Sequence, residues 1–279
     1  MLVEVLVQVA AVVTLLLVVF FAVIVGRYRL RETRREWLSR VREVAPAMIL
    51  LVAVLSLNGV ARRVVPDISW MIRDDVTGLI YDLEGEFVVW VQSFATPTVT
   101  AFFSFVYVYG YVFLLIFPIV AYFALPNTRP LRVLISAYTL NYALGLVLYV
   151  FVIAYGPRNL MPELVQVLLY DTYPQYQHLT RQVNRNTNVF PSLHTSMAAT
   201  VAILSYHTRE IYPTWFALAT ALAVSVAIST MYLGIHWAID VIAGVALAYV
   251  SVVLSVRLVD RWSLSEKLEG RLPTSLHRG

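Results

Sequence analysis

Long apolar stretches separated by short polar segments dominate this chain. A membrane-spanning helix needs about 20 predominantly apolar residues. Seven stretches approach or exceed that length: 2–26, 45–61, 99–125, 131–155, 190–206, 214–234 and 236–258. The second and fifth are the shortest of the seven. The pattern predicts an all-α integral membrane protein with seven spanning helices.

The composition agrees with this prediction. The chain has 279 residues, of which 59% are hydrophobic and only 14% are charged, and its mean hydropathy is +0.73. These values exclude an ordinary soluble domain. The sequence contains no cysteine, which excludes disulfides and thiolate chemistry. The net charge of +4 is small, so we expect it to reflect topology and not nucleic-acid binding.

The distribution of arginines predicts which loops face the cytoplasm. Seven arginines lie between residues 27 and 42, directly after the first apolar stretch. Because cytoplasmic loops carry an excess of basic residues, this segment is predicted to be inside. Alternation then places 126–130, 207–213 and the basic tail inside as well. The N-terminus is therefore predicted outside and the C-terminus in the cytoplasm.

This topology predicts three parts. Residues 1–44 form an N-terminal transmembrane helix and a basic cytoplasmic loop, and 259–279 form a basic cytoplasmic tail. The membrane core between them, 45–258, carries two long outer-face loops at 62–98 and 156–189.

Two histidines lie at the entrances of apolar stretches. His194 begins the fifth stretch, and His236 begins the last one, 42 residues later. As helix, 42 residues would cover about 63 Å, close to two crossings of a hydrocarbon core of about 30 Å. We therefore expect both histidines at the same membrane face, which is the outer one by the arginine pattern.

Asp240 follows His236 by four residues, which places both on one helical face. An aspartate there can accept one imidazole N–H and leave the other nitrogen unprotonated, as a nucleophilic or general-base histidine requires. A carboxylate inside an apolar helix is costly unless it is paired, so it indicates function. A purely structural hydrogen-bonded pair between helices is the alternative.

The segment Pro191-Ser192-Leu193-His194 predicts an anion site. Proline suits the first helical turn, and the backbone N–H groups of Ser192, Leu193 and His194 would then face an anion at the positive end of the helix dipole. A serine hydroxyl and a histidine suit a phosphate, because one donates a hydrogen bond and the other protonates a leaving oxygen.

Three arginines near these segments are candidates to bind phosphate oxygens: Arg158, Arg181 and Arg185. A guanidinium can hold two phosphate oxygens at once. Anchoring to lipid headgroups is the alternative for each of them. The many tyrosines are interpreted as core and interface packing.

These segments resemble the signatures of the type 2 phosphatidic acid phosphatase superfamily, whose fold is shared with bacterial acid phosphatases and vanadium haloperoxidases. Family members carry PSGH and, downstream, SRxxxxxHxxxD. Here the corresponding residues run from Pro191 to His194 and from Ser229 to Asp240, with Leu193 in place of glycine and Thr230 in place of arginine. The family's first signature, KxxxxxxRP, has no clean counterpart. With these departures, the motifs are most similar to the inositol phosphorylceramide synthase branch.

The resemblance implies a six-helix core, to which the first helix is an addition, and a phosphohistidine mechanism. His236 would attack phosphorus, Asp240 would orient it, and His194 would protonate the leaving oxygen. No metal or other cofactor is implied. The expected substrate is a lipid phosphate, lipid diphosphate or phospholipid at the extracytoplasmic face, with the plasma membrane as the expected location.

Three functions remain open at this point. The first is hydrolysis of a lipid phosphate, and the second is transfer of a phospho-headgroup to a lipid alcohol acceptor, as in the synthase branch. Leu193 is the residue that suggests transfer. The third is a non-catalytic lipid-binding or transport scaffold, which the loss of the motif arginine at Thr230 keeps open. The sequence does not predict an oligomeric state.

Overall fold

The computed structural model describes residues 2–69, 74–177 and 189–269. Its helices are α1 (Leu2–Phe20), α2 (Gly26–Ser69), α3 (Thr77–Glu84), α4 (Phe87–Gln92), α5 (Pro97–Phe105), α6 (Tyr111–Phe123), α7 (Arg129–Phe151), α8 (Pro157–Leu160), α9 (Leu168–Thr172), α10 (Leu193–His207), α11 (Pro213–Tyr232) and α12 (Ala238–Glu269). Two π-helical segments, Phe21–Val25 and Val106–Gly110, precede α2 and α6. A two-residue parallel pairing joins β1 (Asp74–Asp75) to β2 (Val152–Ile153).

The prediction of an all-α integral membrane protein is confirmed. Within the described residues, six helical segments are long and apolar enough to cross a membrane: Leu2–Val25, Thr33–Ala61, Pro97–Phe123, Arg129–Phe151, Pro213–Tyr232 and Ala238–Arg261. Each of them overlaps one of the seven predicted spans.

The fifth predicted span forms α10, which has 15 residues. A helix of that length covers about 22 Å, less than the hydrocarbon core of about 30 Å. It packs among α7, α11 and α12. Buried Asn141 of α7 donates from Nδ2 to the Thr200 hydroxyl (2.9 Å) and accepts from the Ser196 hydroxyl. This polar network satisfies the hydroxyls of a helix that lies inside the bundle.

The structure corrects two predicted boundaries. The segment 27–44 was expected to be a loop, but α2 is helical from Gly26 to Ser69. Arginine, glutamate and leucine are good helix formers, and neither glycine nor proline interrupts residues 27–45. The break lies instead at Gly26, whose φ is +74°. α12 likewise continues to Glu269, beyond the predicted end at 258.

The main core lies where α6, α7, α10 and α11 meet. Trp215 of α11 is fully buried, with its ring centroid 4.5 Å from that of Phe117 in α6. α1 is peripheral: it packs against α6 and the segment Val106–Gly110, and few of its residues are buried. Such an exposed apolar helix is what lipid contact requires.

Four segments that were predicted to share one membrane side meet at one end of the bundle. Arg40 donates to the carbonyls of Phe123 (2.9 Å) and Leu125 (2.5 Å). Arg129 forms a bidentate ion pair with Asp260, at 2.8 and 3.0 Å. These contacts satisfy the last carbonyls of α6 and join α7 to α12. We call this region the basic end: residues 29–43, 123–130, 207–213 and 257–261.

Candidate active site

The two signature segments contact each other directly. The backbone N–H of Ser192 donates to the carbonyl of Asp240 at 3.0 Å. A Cβ at Gly244 would lie 2.5 Å from the Ser192 carbonyl oxygen, so only glycine allows α12 to approach so closely. The first turns of α10 and α12 are therefore fixed against one another.

His236 and Asp240 form the predicted pair. Nδ1 of His236 lies 3.3 Å from Oδ2 of Asp240, and that oxygen also accepts the backbone N–H of Trp237 at 2.8 Å. Asp240 is fully buried, and His236 is only 4% exposed. With Nδ1–H donating to the carboxylate, Nε2 of His236 keeps its lone pair for chemistry.

His194 faces His236 across a short gap. The ring centroids of the two imidazoles are 6.2 Å apart. Two groups that each need a contact of about 3 Å can both reach one phosphoryl group held between them. The structure thus brings together the three residues predicted to be catalytic: His194, His236 and Asp240.

Two tyrosines line His194 and were not among the predicted site residues. The ring centroid of Tyr107 is 5.0 Å from that of His194, and the centroid of Tyr111 is 4.7 Å from it. Tyr107 lies in the π-helical segment Val106–Gly110, and π-helical turns occur frequently at functional sites. The Tyr-x-x-x-Tyr spacing was the available signal, but tyrosines are common in this chain and the spacing did not stand out.

Hydrogen bonds from several segments fix the turn before α12. The Thr230 carbonyl accepts the N–H groups of Ile235 (2.9 Å) and His236 (3.1 Å). Gly234 has φ +68°. The indole N–H of buried Trp237 donates to the Tyr155 carbonyl at 2.8 Å. These contacts leave the backbone around His236 little freedom.

Gln92 links the two predicted outer-face loops to this turn. Nε2 of Gln92 in α4 donates to the carbonyls of Tyr232 (2.9 Å) and Gln166 (3.0 Å), and its Oε1 accepts the Gln166 N–H at 2.8 Å. Through Gln92, the loop segments predicted at 62–98 and 156–189 thus contact each other and the end of α11. Within 62–98, the described residues include the short helices α3 and α4, with Gly85 at φ +61° between them.

Ser192 and Leu193 lie at the predicted helix start, but their side chains are engaged in packing. The Ser192 hydroxyl accepts the Thr195 N–H (3.3 Å), as an N-cap does, and donates to the Thr195 hydroxyl at 3.0 Å. The Ser192 N–H is taken by Asp240 and is not free for an anion. Leu193 packs with Tyr149 and Leu247. Its side chain occupies the space that a Cβ at Gly145 would need, 2.6 Å away.

Arg158 is the only one of the three predicted arginines that the described residues include, since Arg181 and Arg185 fall within 178–188. Its backbone N–H donates to the Gly234 carbonyl at 3.3 Å, beside the turn that carries His236. The guanidinium lies 5.2 Å from the ring centroid of Tyr170. Its Nη1 is buried and makes no hydrogen bond within the described part of the chain. Thr230, at the family's arginine position, is fully buried and donates to the Ala227 carbonyl.

Glu84 caps α12 from outside both signatures. Its two carboxylate oxygens accept the N–H groups of Ala238 (2.9 Å) and Ile239 (3.0 Å). Burial raises the pKa of Glu84 above its usual value, whereas the two backbone hydrogen bonds oppose that shift. Nearby Asp240 adds to the rise in this pKa.

In residues 2–69, 74–177 and 189–269, no three metal-ligating side chains cluster as they would around a metal ion.

The sequence profile of the PAP2 superfamily matches residues 79–254, which is more than half of the chain. The chain belongs to the PAP2 superfamily. The matched region contains both signature segments and Glu84, and membership indicates a phosphatase-type enzyme. The match confirms the superfamily that the motifs suggested, since PAP2 stands for type 2 phosphatidic acid phosphatase. Membership of the inositol phosphorylceramide synthase branch stays a hypothesis.

Two known proteins are similar to this chain. An uncharacterized protein of Methanocaldococcus jannaschii is 28% identical over 182 residues, which cover 63% of this chain and 70% of the relative. The crystal structure of Aquifex aeolicus LpxE superposes with a TM-score of 0.48 and 23% identity, over 63% of this chain and 95% of that one.

Proposed function

We propose that this protein is a membrane lipid phosphatase or phosphotransferase that works through a phosphohistidine. The observation that carries the proposal is the geometry of His194, His236 and Asp240 in a chain of the PAP2 superfamily. Two imidazoles with centroids 6.2 Å apart, with Asp240 beside Nδ1 of His236, suit a nucleophile and a proton donor.

In the first step, Nε2 of His236 attacks phosphorus and the bond from phosphorus to the leaving oxygen breaks. Asp240 accepts the Nδ1 proton in a hydrogen bond and stabilises the positive charge on the imidazole. His194 donates a proton to the leaving oxygen. In the second step, His194 takes a proton from water or from a lipid alcohol, whose oxygen attacks the phosphohistidine and frees His236. The mechanism requires no metal, because hydrogen-bond donors and guanidinium groups can balance the phosphate charge.

Arg158 is the proposed phosphate ligand among the described residues. Thr230 supplies no cation at the family's arginine position, and the Arg158 backbone lies beside Gly234 with one guanidinium nitrogen unpaired among the described residues. A buried guanidinium nitrogen without a partner is costly and suits an anionic ligand. Of the N–H groups at the start of α10, those of Leu193 and His194 are proposed to bind the same anion, since that of Ser192 donates to Asp240. Arg181 and Arg185 remain candidates for this role.

The site is proposed to act at the extracytoplasmic face. Three helices begin near a site residue and reach the basic end further along: Tyr111 and Phe123 in α6, His194 and His207 in α10, and Asp240 and Asp260 in α12. By the positive-inside rule the basic end is cytoplasmic. The twenty residues from Asp240 to Asp260 correspond to about 30 Å of helix, one hydrocarbon thickness.

The test uses purified protein in detergent with a phosphatidate or an isoprenyl diphosphate, with and without a lipid alcohol. Phosphate release that does not depend on the alcohol supports hydrolysis, and an alcohol-dependent lipid product without free phosphate supports transfer. If neither product forms and His236→Ala behaves as wild type, the proposal is wrong. Leu193 does not decide between the two reactions, because its side chain packs against α7 and α12 and not toward the histidines.

A further inference from the structure

Glu84 contacts the catalytic helix although it lies 154 positions before Ala238 in the chain. Both of its carboxylate oxygens are used, one by the N–H of Ala238 and one by the N–H of Ile239. The preceding N–H, that of Trp237, is accepted by Oδ2 of Asp240. Three successive N–H groups at the start of α12 therefore donate hydrogen bonds to two carboxylates, those of Glu84 and Asp240.

This arrangement fixes the first turn of α12. The first N–H groups of a helix have no partner within the helix, and a carboxylate there also interacts favourably with the helix dipole. His236 precedes this turn by two residues and Asp240 lies within it. A rotation of the turn would change the distance between Nδ1 of His236 and Oδ2 of Asp240. The carboxylate of Glu84 opposes such a rotation.

The whole of α3 is placed to hold Glu84 in position. Thr77, Tyr81 and Glu84 are spaced four and three residues apart, so they share one helical face. The Thr77 hydroxyl accepts the Tyr155 N–H at 2.9 Å. The ring of Tyr81 meets that of Trp237 edge-on, with centroids 6.3 Å apart. All three side chains contact the segments that surround His236.

We propose that Glu84 is a positioning residue for His236. It sets the geometry of the His236–Asp240 pair by fixing the start of α12, and it adds negative charge beside that pair. The inference rests on the proposed phosphohistidine chemistry for its consequence in catalysis. The carboxylate contacts themselves do not depend on that chemistry.

The test compares Glu84→Gln and Glu84→Ala with the matched control Glu86→Gln. Glu86 is exposed, lies two residues further along and makes no side-chain capping bond to α4. We expect kcat on the lipid phosphate to fall about 10-fold in Glu84→Gln and about 100-fold in Glu84→Ala, the range for residues that orient a catalytic group. KM should change less than about 2-fold, since binding contacts stay the same.

The pH profile separates positioning from mere stability. Loss of a negative charge near His236 should move the acid limb of kcat/KM toward lower pH by about half a unit in Glu84→Gln. Glu86→Gln should leave it unchanged. If the Glu84 variants only unfold at lower temperature, with kcat per folded molecule and the acid limb equal to the control, the positioning role is overturned.

A readout without turnover keeps this inference apart from the proposed function. In protein with ¹⁵N-labelled histidine, the signal that His236→Ala removes is expected to move in Glu84→Gln and not in Glu86→Gln at the same pH. Wild-type protein that releases no phosphate would overturn the proposed function alone. An unmoved His236 signal in Glu84→Gln would overturn the positioning role alone.

Discussion

The two histidines of the site lie in different surroundings. His236 lies in a turn whose neighbouring N–H groups donate hydrogen bonds to carboxylates and carbonyls. Nδ1 of His236 contacts the carboxylate of Asp240. His194 lies between the rings of Tyr107 and Tyr111, at 5.0 and 4.7 Å. A carboxylate fixes the tautomer and orientation of an imidazole. Aromatic faces hold the ring in place and favour its cationic form. The difference matches the proposed roles of nucleophile and proton donor.

His236→Ala tests the nucleophile and should have the largest effect. We expect activity on a lipid phosphate to fall about 10,000-fold or more, because no other group can form the covalent intermediate. Quenching with ³²P-labelled substrate should trap a phosphoenzyme in wild type and none in the variant. A trapped phosphoenzyme in His236→Ala would assign the nucleophile elsewhere.

Asp240→Asn tests the carboxylate that contacts Nδ1 of His236. An amide can donate to Nδ1 and so favour the wrong tautomer, and we expect kcat to fall roughly 1,000-fold. The KM for the lipid phosphate should change little. Steady-state kinetics, with thermal unfolding as the control for folding, measure both. A loss below about 10-fold would argue for a structural pair.

His194→Ala tests the proton donor and should depend on the leaving group. With a lipid phosphate, whose alkoxide needs a proton, we expect roughly a 100-fold loss of kcat. With p-nitrophenyl phosphate, whose leaving group departs without protonation, formation of the phosphoenzyme should be nearly normal. Equal losses in the rate of phosphoenzyme formation on both substrates would contradict the assignment of His194 as the acid.

Tyr111→Leu removes one aromatic face from His194, and Tyr111→Phe is the matched control. Loss of the ring should destabilise the imidazolium and lower kcat about 10-fold, with the alkaline limb of the pH profile moved to lower pH. Tyr111→Phe should stay close to wild type. Identical profiles for the leucine and phenylalanine variants would show that the tyrosine ring has only a packing role.

The smallest expected effect is the pH dependence of stability from Glu84. Its pKa is raised in the folded protein, chiefly by burial, so the folded state binds more protons than the unfolded state as pH rises above the usual value of 4.5. The free energy of unfolding should therefore decrease as pH rises from that value through the folded-state pKa. Thermal unfolding should show a weaker decrease in Glu84→Gln, and a steeper one would contradict the sign.

The sequence predicted which residues come together at the site because their positions follow from spacings along the chain. The step from His236 to Asp240 places both on one helical face, and two crossings return the chain to His194. The end of the first helix near Gly26 agrees with the prediction, but the loop expected at 27–44 is part of α2. Charge alone does not distinguish a loop from a helix that leaves the membrane, and the break is confined to Gly26, whose φ is +74°.

By itself the sequence determined the membrane class, the superfamily and the three residues that meet at the site. Hydrophobic length and the spacing of chemical groups along one helix are local properties, and a single chain displays them. Tertiary structure alone decided the role of Leu193, whose side chain fits Gly145 of another helix, and the nearness of Tyr107, Tyr111 and Glu84. These contacts join residues far apart in the chain. They depend on how the helices pack, and no local pattern encodes that packing.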